Sequence, residues 1–246
     1  MATPPQRPAG WAQPPPTRLV ETLSALAGTP DDAFGIDELL IVIARLAADV
    51  VEPVSYASVT ADRAGAPTTV AASSQLAYDV DLAQYADRAG PCLDALADGK
   101  PVEVPDVAAV MAWPGFRDAA WRLGLRASVS IPLFAGSGSP IAALNLYAHD
   151  ADAMTALTRR VWALYDNGFH HGHDRLRGVQ EGSQQLLAGI AAAFEVRDLI
   201  QRALGAIMAR HQVAADTAYL MLQVRAAERA ATLPATAAHV VQQQDA

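Results

Sequence analysis

The hydrophobic positions change period several times along this chain. RLVETLSALA, Arg18 to Ala27, has helical spacing and is stopped by Gly28 and Pro30. Leu39, Leu40, Ile43, Leu46, Ala47 and Val50 form one face of a helix over Glu38 to Val51, with Asp37 as the expected N-cap. The period then shortens to two. Val54 to Thr60 alternates as a strand, and Thr68 to Ala72 gives a second strand after a turn at Gly65-Ala-Pro67. A helix is predicted from about Leu76 to Arg88, and a short one from Pro91, just after Gly90. Val102-Glu-Val reads as a strand. Trp113-Pro-Gly-Phe opens a helix that ends near Gly124. Ala127 to Phe134 and Ile141 to Tyr147 read as a hairpin around Gly136-Ser-Gly-Ser139.

From Thr155 to Glu195 the pattern is helical and free of proline. A single helix of those 41 residues would span about 60 Å and would need a partner. Leu157, Val161, Leu164 and Tyr165 recur in its first half, and Leu186, Leu187, Ile190, Ala193 and Phe194 in its second. Asn167, Gly168, Gly172, Gly178 and Gly182 weaken the centre. A dimeric coiled coil and a helical hairpin both fit this pattern. Three short amphipathic helices follow. The first carries Leu199, Ile200, Ala203, Leu204, Ile207 and Met208. The second carries Ala214, Ala218, Leu222 and Ala226. The third carries Leu233, Ala237, Val240 and Val241, with Pro234 in its first turn. None can bury its face alone, so a small bundle is expected. The fold class is α+β: an antiparallel sheet flanked by helices, a long connector helix and a C-terminal three-helix bundle. The expected units are a Pro-rich disordered arm over 1–17, a sheet domain over 18–154, a helical connector over 155–183 and the bundle over 184–246.

Composition narrows the function. Cys92 is the only cysteine, which excludes an intramolecular disulfide and fits a reducing cytoplasm. No signal peptide or membrane-spanning stretch is read. The net charge is −8, and residues 36–154 hold 7 basic and 15 acidic side chains. That acidic middle argues against nucleic-acid contact there. Residues 197–246 hold 5 Arg and 4 acids, so only the tail is relatively basic. No P-loop, Gly-x-Ser-x-Gly, paired-cysteine or His-Glu-x-x-His pattern occurs, so no enzyme, cofactor or metal site is expected.

Three segments share an order and spacing. They are Gly90-Pro-Cys-Leu-Asp-Ala-Leu96, Pro101-Val-Glu-Val-Pro-Asp106 and Gly124-Leu-Arg-Ala-Ser-Val-Ser-Ile-Pro-Leu133. The strand Ala142-Ala-Leu-Asn-Leu-Tyr147 completes the set. Residues 36–153 thereby resemble a GAF domain, a small-molecule sensory module. In the tail, Arg197, Ile200, Ala203, Gly205, Ile207, Met208 and Arg210, then Ala218, Tyr219 and Leu222, follow another pattern. Residues 184–243 resemble an ANTAR domain, an RNA-binding module of bacterial transcription antiterminators. Leu204 and Gln223 depart from that pattern, standing where the family usually has Lys and Arg.

The resemblance implies a cytoplasmic, dimeric regulator that senses an unknown small molecule and binds paired RNA hairpins in a nascent mRNA leader. Arg197, Arg202, Arg210, Arg225 and Arg229 are its candidate RNA contacts, since guanidinium planes stack on splayed loop bases and pair with phosphates. Tyr78, Tyr85, Cys92, Trp113 and Phe116 are the candidate ligand-pocket residues, with Leu82 and Trp121 nearby. Cys92 at a helix start invites a lowered thiol pKa and redox sensing, or else simple packing. His170, His171, His173 and Asp174 invite an adventitious Zn²⁺ site, or else an exposed helix face. The alternative function is a dimeric sensory or scaffold protein whose tail no longer binds RNA.

Overall fold

The period-two segments form one sheet. The computed structural model describes residues 18–166 and 180–243, and every structural statement concerns those residues. The strands are β1 (Tyr56–Arg63), β2 (Ala66–Ala72), β3 (Val102–Val104), β4 (Ala127–Phe134) and β5 (Pro140–Ala148), in the spatial order β2-β1-β5-β4-β3. All four pairings are antiparallel. Val59 pairs with Leu144 and Ser58 with Asn145, so apolar and polar residues segregate to opposite faces.

The apolar face carries Ala57, Val59, Ala61, Val129, Ile131, Leu144 and Leu146. It packs against α1 (Arg18–Ala27), α2 (Ile36–Val50), α6 (Ala151–Asp166) and the first half of α7 (Glu181–His211). The other face is covered by α3 (Gln75–Asp87), α4 (Pro91–Asp98) and α5 (Pro114–Arg122). The second half of α7 packs with α8 (Ala215–Glu228) and α9 (Leu233–Gln242) around Ile200, Ala203, Ile207, Ala218, Leu222, Leu233 and Ala237. This is the three-helix bundle the sequence predicts.

One expectation is corrected. Asp37 does not cap α2; Gly35 does, at φ 100°. Asp37 lies in the first turn, where its carboxylate favours the positive end of the helix dipole and pairs with Arg63. The apolar residues read as a coiled-coil seam are also used within the chain. Leu186, Leu187, Ile190 and Phe194 are buried in the main core, and α7 packs along α1. Residue 184 lies within the first turns of α7, so one helix carries the end of the connector into the bundle.

The start of α7 is capped from a distance. Gln180, at the N-cap position, makes no side-chain cap. Instead Glu52 accepts from the Gly182 N–H at 2.9 Å on Oε1, and from the Ser183 N–H at 3.0 Å and hydroxyl at 3.2 Å on Oε2. Burial raises the Glu52 carboxyl, but those hydrogen bonds outweigh it and hold the group below its usual range. A Cβ at Gly182 would run into the Val50 carbonyl, so only glycine lets the two backbones approach this closely.

Candidate functional site

The face of the sheet under α3 and α4 is polar and buried, which is costly unless its groups pair. Ser58 and Thr60 from β1, Ser128 and Ser130 from β4 and Asn145 from β5 are all buried polar residues. Opposite them, Ala77, Val80, Asp81 and Gln84 form the inward stripe of α3, at i, i+3, i+4, i+7. Asp81 is fully buried and is the hub. Its Oδ1 accepts from the Tyr147 hydroxyl at 2.7 Å, the Ser58 hydroxyl at 3.0 Å and the Asn145 amide at 3.4 Å. Its Oδ2 accepts from Thr69 at 2.9 Å. The Tyr85 hydroxyl lies 2.8 Å from both the Thr60 and Thr69 hydroxyls. Gln84 extends the network, donating to Tyr147 at 3.4 Å and accepting from the Cys92 N–H at 3.0 Å.

No cation balances this carboxylate among its partners. Burial pushes the Asp81 carboxyl up to about 6, against hydrogen bonds from Tyr147, Ser58, Thr69 and Asn145 that favour the ionised form. Asn145 Oδ1 and Ser128 Oγ are buried without a hydrogen-bond partner among the described residues. A buried polar face with spare acceptor capacity and one unbalanced charge is chemically suited to a small polar ligand.

The five pocket residues expected from sequence do not converge. Tyr85 belongs to the network. Cys92 is buried beside it with Ala95 and Ala143. Burial pushes the Cys92 thiol up, and the nearby Asp81 charge adds to this, which favours the packing alternative over a thiol activated at a helix start. Tyr78 is exposed, as are Leu82 and Trp121. Phe116 is core, edge-on to Trp113 with ring centroids 6.5 Å apart, in an apolar cluster with Val104, Val107 and Leu125 that reaches the network only through Tyr147 and the α3 residues Ala77 and Val80. The hub itself was missed, although its signal was present: Ser58 and Thr60, Ser128 and Ser130, and Asn145 and Tyr147 repeat at i, i+2 within apolar strands.

The tail cations also separate. Arg197 is tied to the sheet domain, donating from Nε to the Gly138 carbonyl at 2.9 Å with its guanidinium 4.0 Å from the Phe134 ring centroid. Arg202 pairs with Asp198 at 3.4 Å, and Arg229 caps the C-terminus of α8. Arg210 and Arg225 alone come together, lining one cleft with Ala206, Ile207, Val240 and Gln243. His170, His171, His173 and Asp174 lie outside the described residues, among which no group of side chains is placed to hold a metal ion and no helix is long and apolar enough to cross a membrane.

A seam joins the two units. Asp31, between α1 and α2, accepts from the Ser137 N–H at 2.8 Å and from the Tyr219 hydroxyl at 3.3 Å, while its own N–H donates to that hydroxyl at 3.2 Å. Gln223 donates to Asp32 at 3.3 Å, and Gln201 to the Ser137 carbonyl at 2.7 Å. A Cβ at Gly136 would stand 2.7 Å from both the Leu233 Cδ1 and the Tyr219 hydroxyl, so this turn approaches α8 and α9 as closely as a backbone can.

A GAF domain family model matches residues 35–164, and an ANTAR domain family model matches residues 188–241. A solved structure described as a domain of a two-component sensor histidine kinase protein from Sinorhizobium meliloti 1021 is 17% identical. It covers 74% of this chain and 100% of its own, with a TM-score of 0.41. No curated protein matches the chain.

Proposed function

Because the chain belongs to the GAF family and carries an ANTAR domain, we propose that it is a signal-responsive, RNA-binding regulator of transcription antitermination and not an enzyme. The GAF unit takes a small polar molecule at the Asp81 face. The tail binds adjacent RNA hairpins in a nascent leader and favours the antiterminator fold by differential affinity. Two copies act together, so that two tails engage two hairpins at raised effective concentration.

One observation carries this reading: the β4–β5 hairpin reaches both sites. Its strands supply Ser128, Asn145 and Tyr147 to the polar face, and its turn, Gly136 to Ser139, supplies the seam with the tail. A ligand that moves Asn145 or Tyr147 therefore pushes on the element against which α7, α8 and α9 are docked. The coupling needed is ordinary, about 1–3 kcal/mol between the two sites.

The exposed side of α8 supports a second reading. Leu220 and Val224, one turn apart, are 60% and 56% exposed, and Gln223 is engaged by Asp32. An apolar stripe there fits a tail that docks on protein and has lost RNA. UV crosslinking of the full-length protein in its own cells, followed by sequencing of bound RNA, separates the two. Recovery of leaders with two adjacent hairpins beside a terminator is expected. Recovery of no RNA above an uncrosslinked control moves the assignment to the scaffold.

A further inference from the structure

We propose that the cleft between the last turn of α7, α8 and α9 is a seat for a phosphate group, built from Arg210 and Arg225 and ordered by His211. It deepens the RNA-binding reading and rests on it for its natural occupant, a backbone phosphate of the hairpin loop.

The geometry sets this cleft apart from the rest of the tail surface. At about 100° per residue, Arg225 lies some 200° around α8 from Gln223, so it points away from the face docked on the GAF unit. It does not reach solvent unsupported. One guanidinium nitrogen, Nη2, is 3.1 Å from His211 Nε2, so a neutral imidazole accepts from it and fixes the plane. That contact uses one of five N–H donors and leaves the fork for a ligand. Arg210 enters from α7, and Gln243, whose amide nitrogen is 2.9 Å from His239 Nε2, completes the lining. Ala206, Ile207 and Val240 form an apolar wall, which lowers the local dielectric and strengthens any charge-assisted bond made against it.

Charge bookkeeping points the same way. No carboxylate lines the cleft, and among the described residues neither Arg210 nor Arg225 forms an ion pair. Arg210 stands in the last turn of α7, where its charge offsets the negative end of the helix dipole. Arg225 stands likewise in the last turn of α8, so two helix ends direct their cations into the one cleft. Two like charges held in one shallow cleft repel, and a bound anion relieves the repulsion. Guanidinium forks match phosphate oxygens in pairs, which a free ammonium does not.

Neither of the two departures in the tail lines the cleft. Leu204 is buried in the bundle core and Gln223 is spent on Asp32. Arg210 and Arg225 meet on a different side of the bundle from Gln223.

The test uses the full-length chain and two probes. Inorganic phosphate is titrated while the His211 ring and the Arg210 and Arg225 Nε–H signals are followed by NMR. A saturable shift of all three is expected, lost in an Arg210→Gln/Arg225→Gln variant and retained in Arg122→Gln on α5. A labelled hairpin with a six-base loop is then titrated at several salt concentrations. The double variant should bind at least tenfold more weakly, and its slope of log affinity against log salt should fall by about 1.4, about 0.7 for each contact removed. Arg225→Lys, which keeps the charge, should recover part of the salt slope but not the His211 shift. Phosphate shifts without RNA binding support the seat and defeat the RNA reading. Absence of the phosphate shifts, or RNA binding whose salt slope the double variant leaves unchanged, overturns the seat.

Discussion

Asp81→Asn should remove a pH dependence of stability that the buried network creates. Burial moves the Asp81 carboxyl from its ordinary 3.8 to about 6, which corresponds to about 3 kcal/mol between its two protonation states. In the window between these values the folded chain holds a proton that the unfolded chain has released. Stability therefore falls as pH rises from about 4 to about 6, and levels off above. At neutral pH the wild type carries the full cost of a buried, unbalanced carboxylate. Asn is nearly isosteric. Its Oδ1 can accept from Ser58, Tyr147 and Asn145, and its amide can donate to Thr69, whose hydroxyl then turns toward Tyr85. The difference in unfolding free energy between variant and wild type should thus move in favour of Asn by about 3 kcal/mol between pH about 4 and about 7. For a chain of this size that is roughly 6–12 °C in Tm. Calorimetric scans of both proteins across that range isolate the term, since every other carboxylate cancels in the difference. Parallel Tm–pH curves would refute the assignment of Asp81 as the uncompensated charge of the sheet.

Three further outcomes follow from the same structure. Glu52→Gln should cost about 1–2 kcal/mol at neutral pH, because it weakens the distant cap on α7; the wild-type advantage, arising from a lowered carboxyl, should disappear as pH falls through the acid range, which urea melts at several pH values will follow. Cys92 should resist iodoacetamide in the native chain at pH about 8 and react promptly in urea, because burial both hides the thiol and raises its pKa; mass spectrometry that finds rapid native alkylation would contradict its placement. Gly136→Val should lever the tail off the GAF unit through Leu233 and Tyr219, raising amide exchange in α8 and α9 while far-UV helicity stays the same; unchanged protection would mean the seam does not hold the tail.

The helices and strands were legible because their apolar positions keep a strict period, and both family patterns lie on those elements. Within α3 the apolar period does not mark the buried face. Tyr78 and Leu82 sit one turn apart and look like an inner stripe, yet they face solvent, and Asp81 and Gln84 face in. The helix is oriented by what it covers: a sheet face of serine, threonine and asparagine offers hydrogen-bonding partners, not an apolar surface. Residue type alone did not reveal this, since Ser and Thr also serve as ordinary strand formers. The connector shows the converse. Leu186, Ile190 and Phe194 carry a pattern that fits a second chain equally well, and only the position of α1 decides that they are buried at home. The five tail arginines were equivalent in sequence. Asp198, Phe134 with Gly138, and His211 divide them, and each of these meetings depends on the fold.

The proposed function turns on RNA-hairpin binding by the tail. Fluorescence anisotropy tests it most directly, with purified full-length protein titrated into a labelled RNA of two adjacent hairpins with six-base loops and, in parallel, into the same stems closed by unrelated loops. Saturable binding that weakens as salt rises and is lost when the loops are replaced is expected. Equal binding to both RNAs, or none to either, would contradict it.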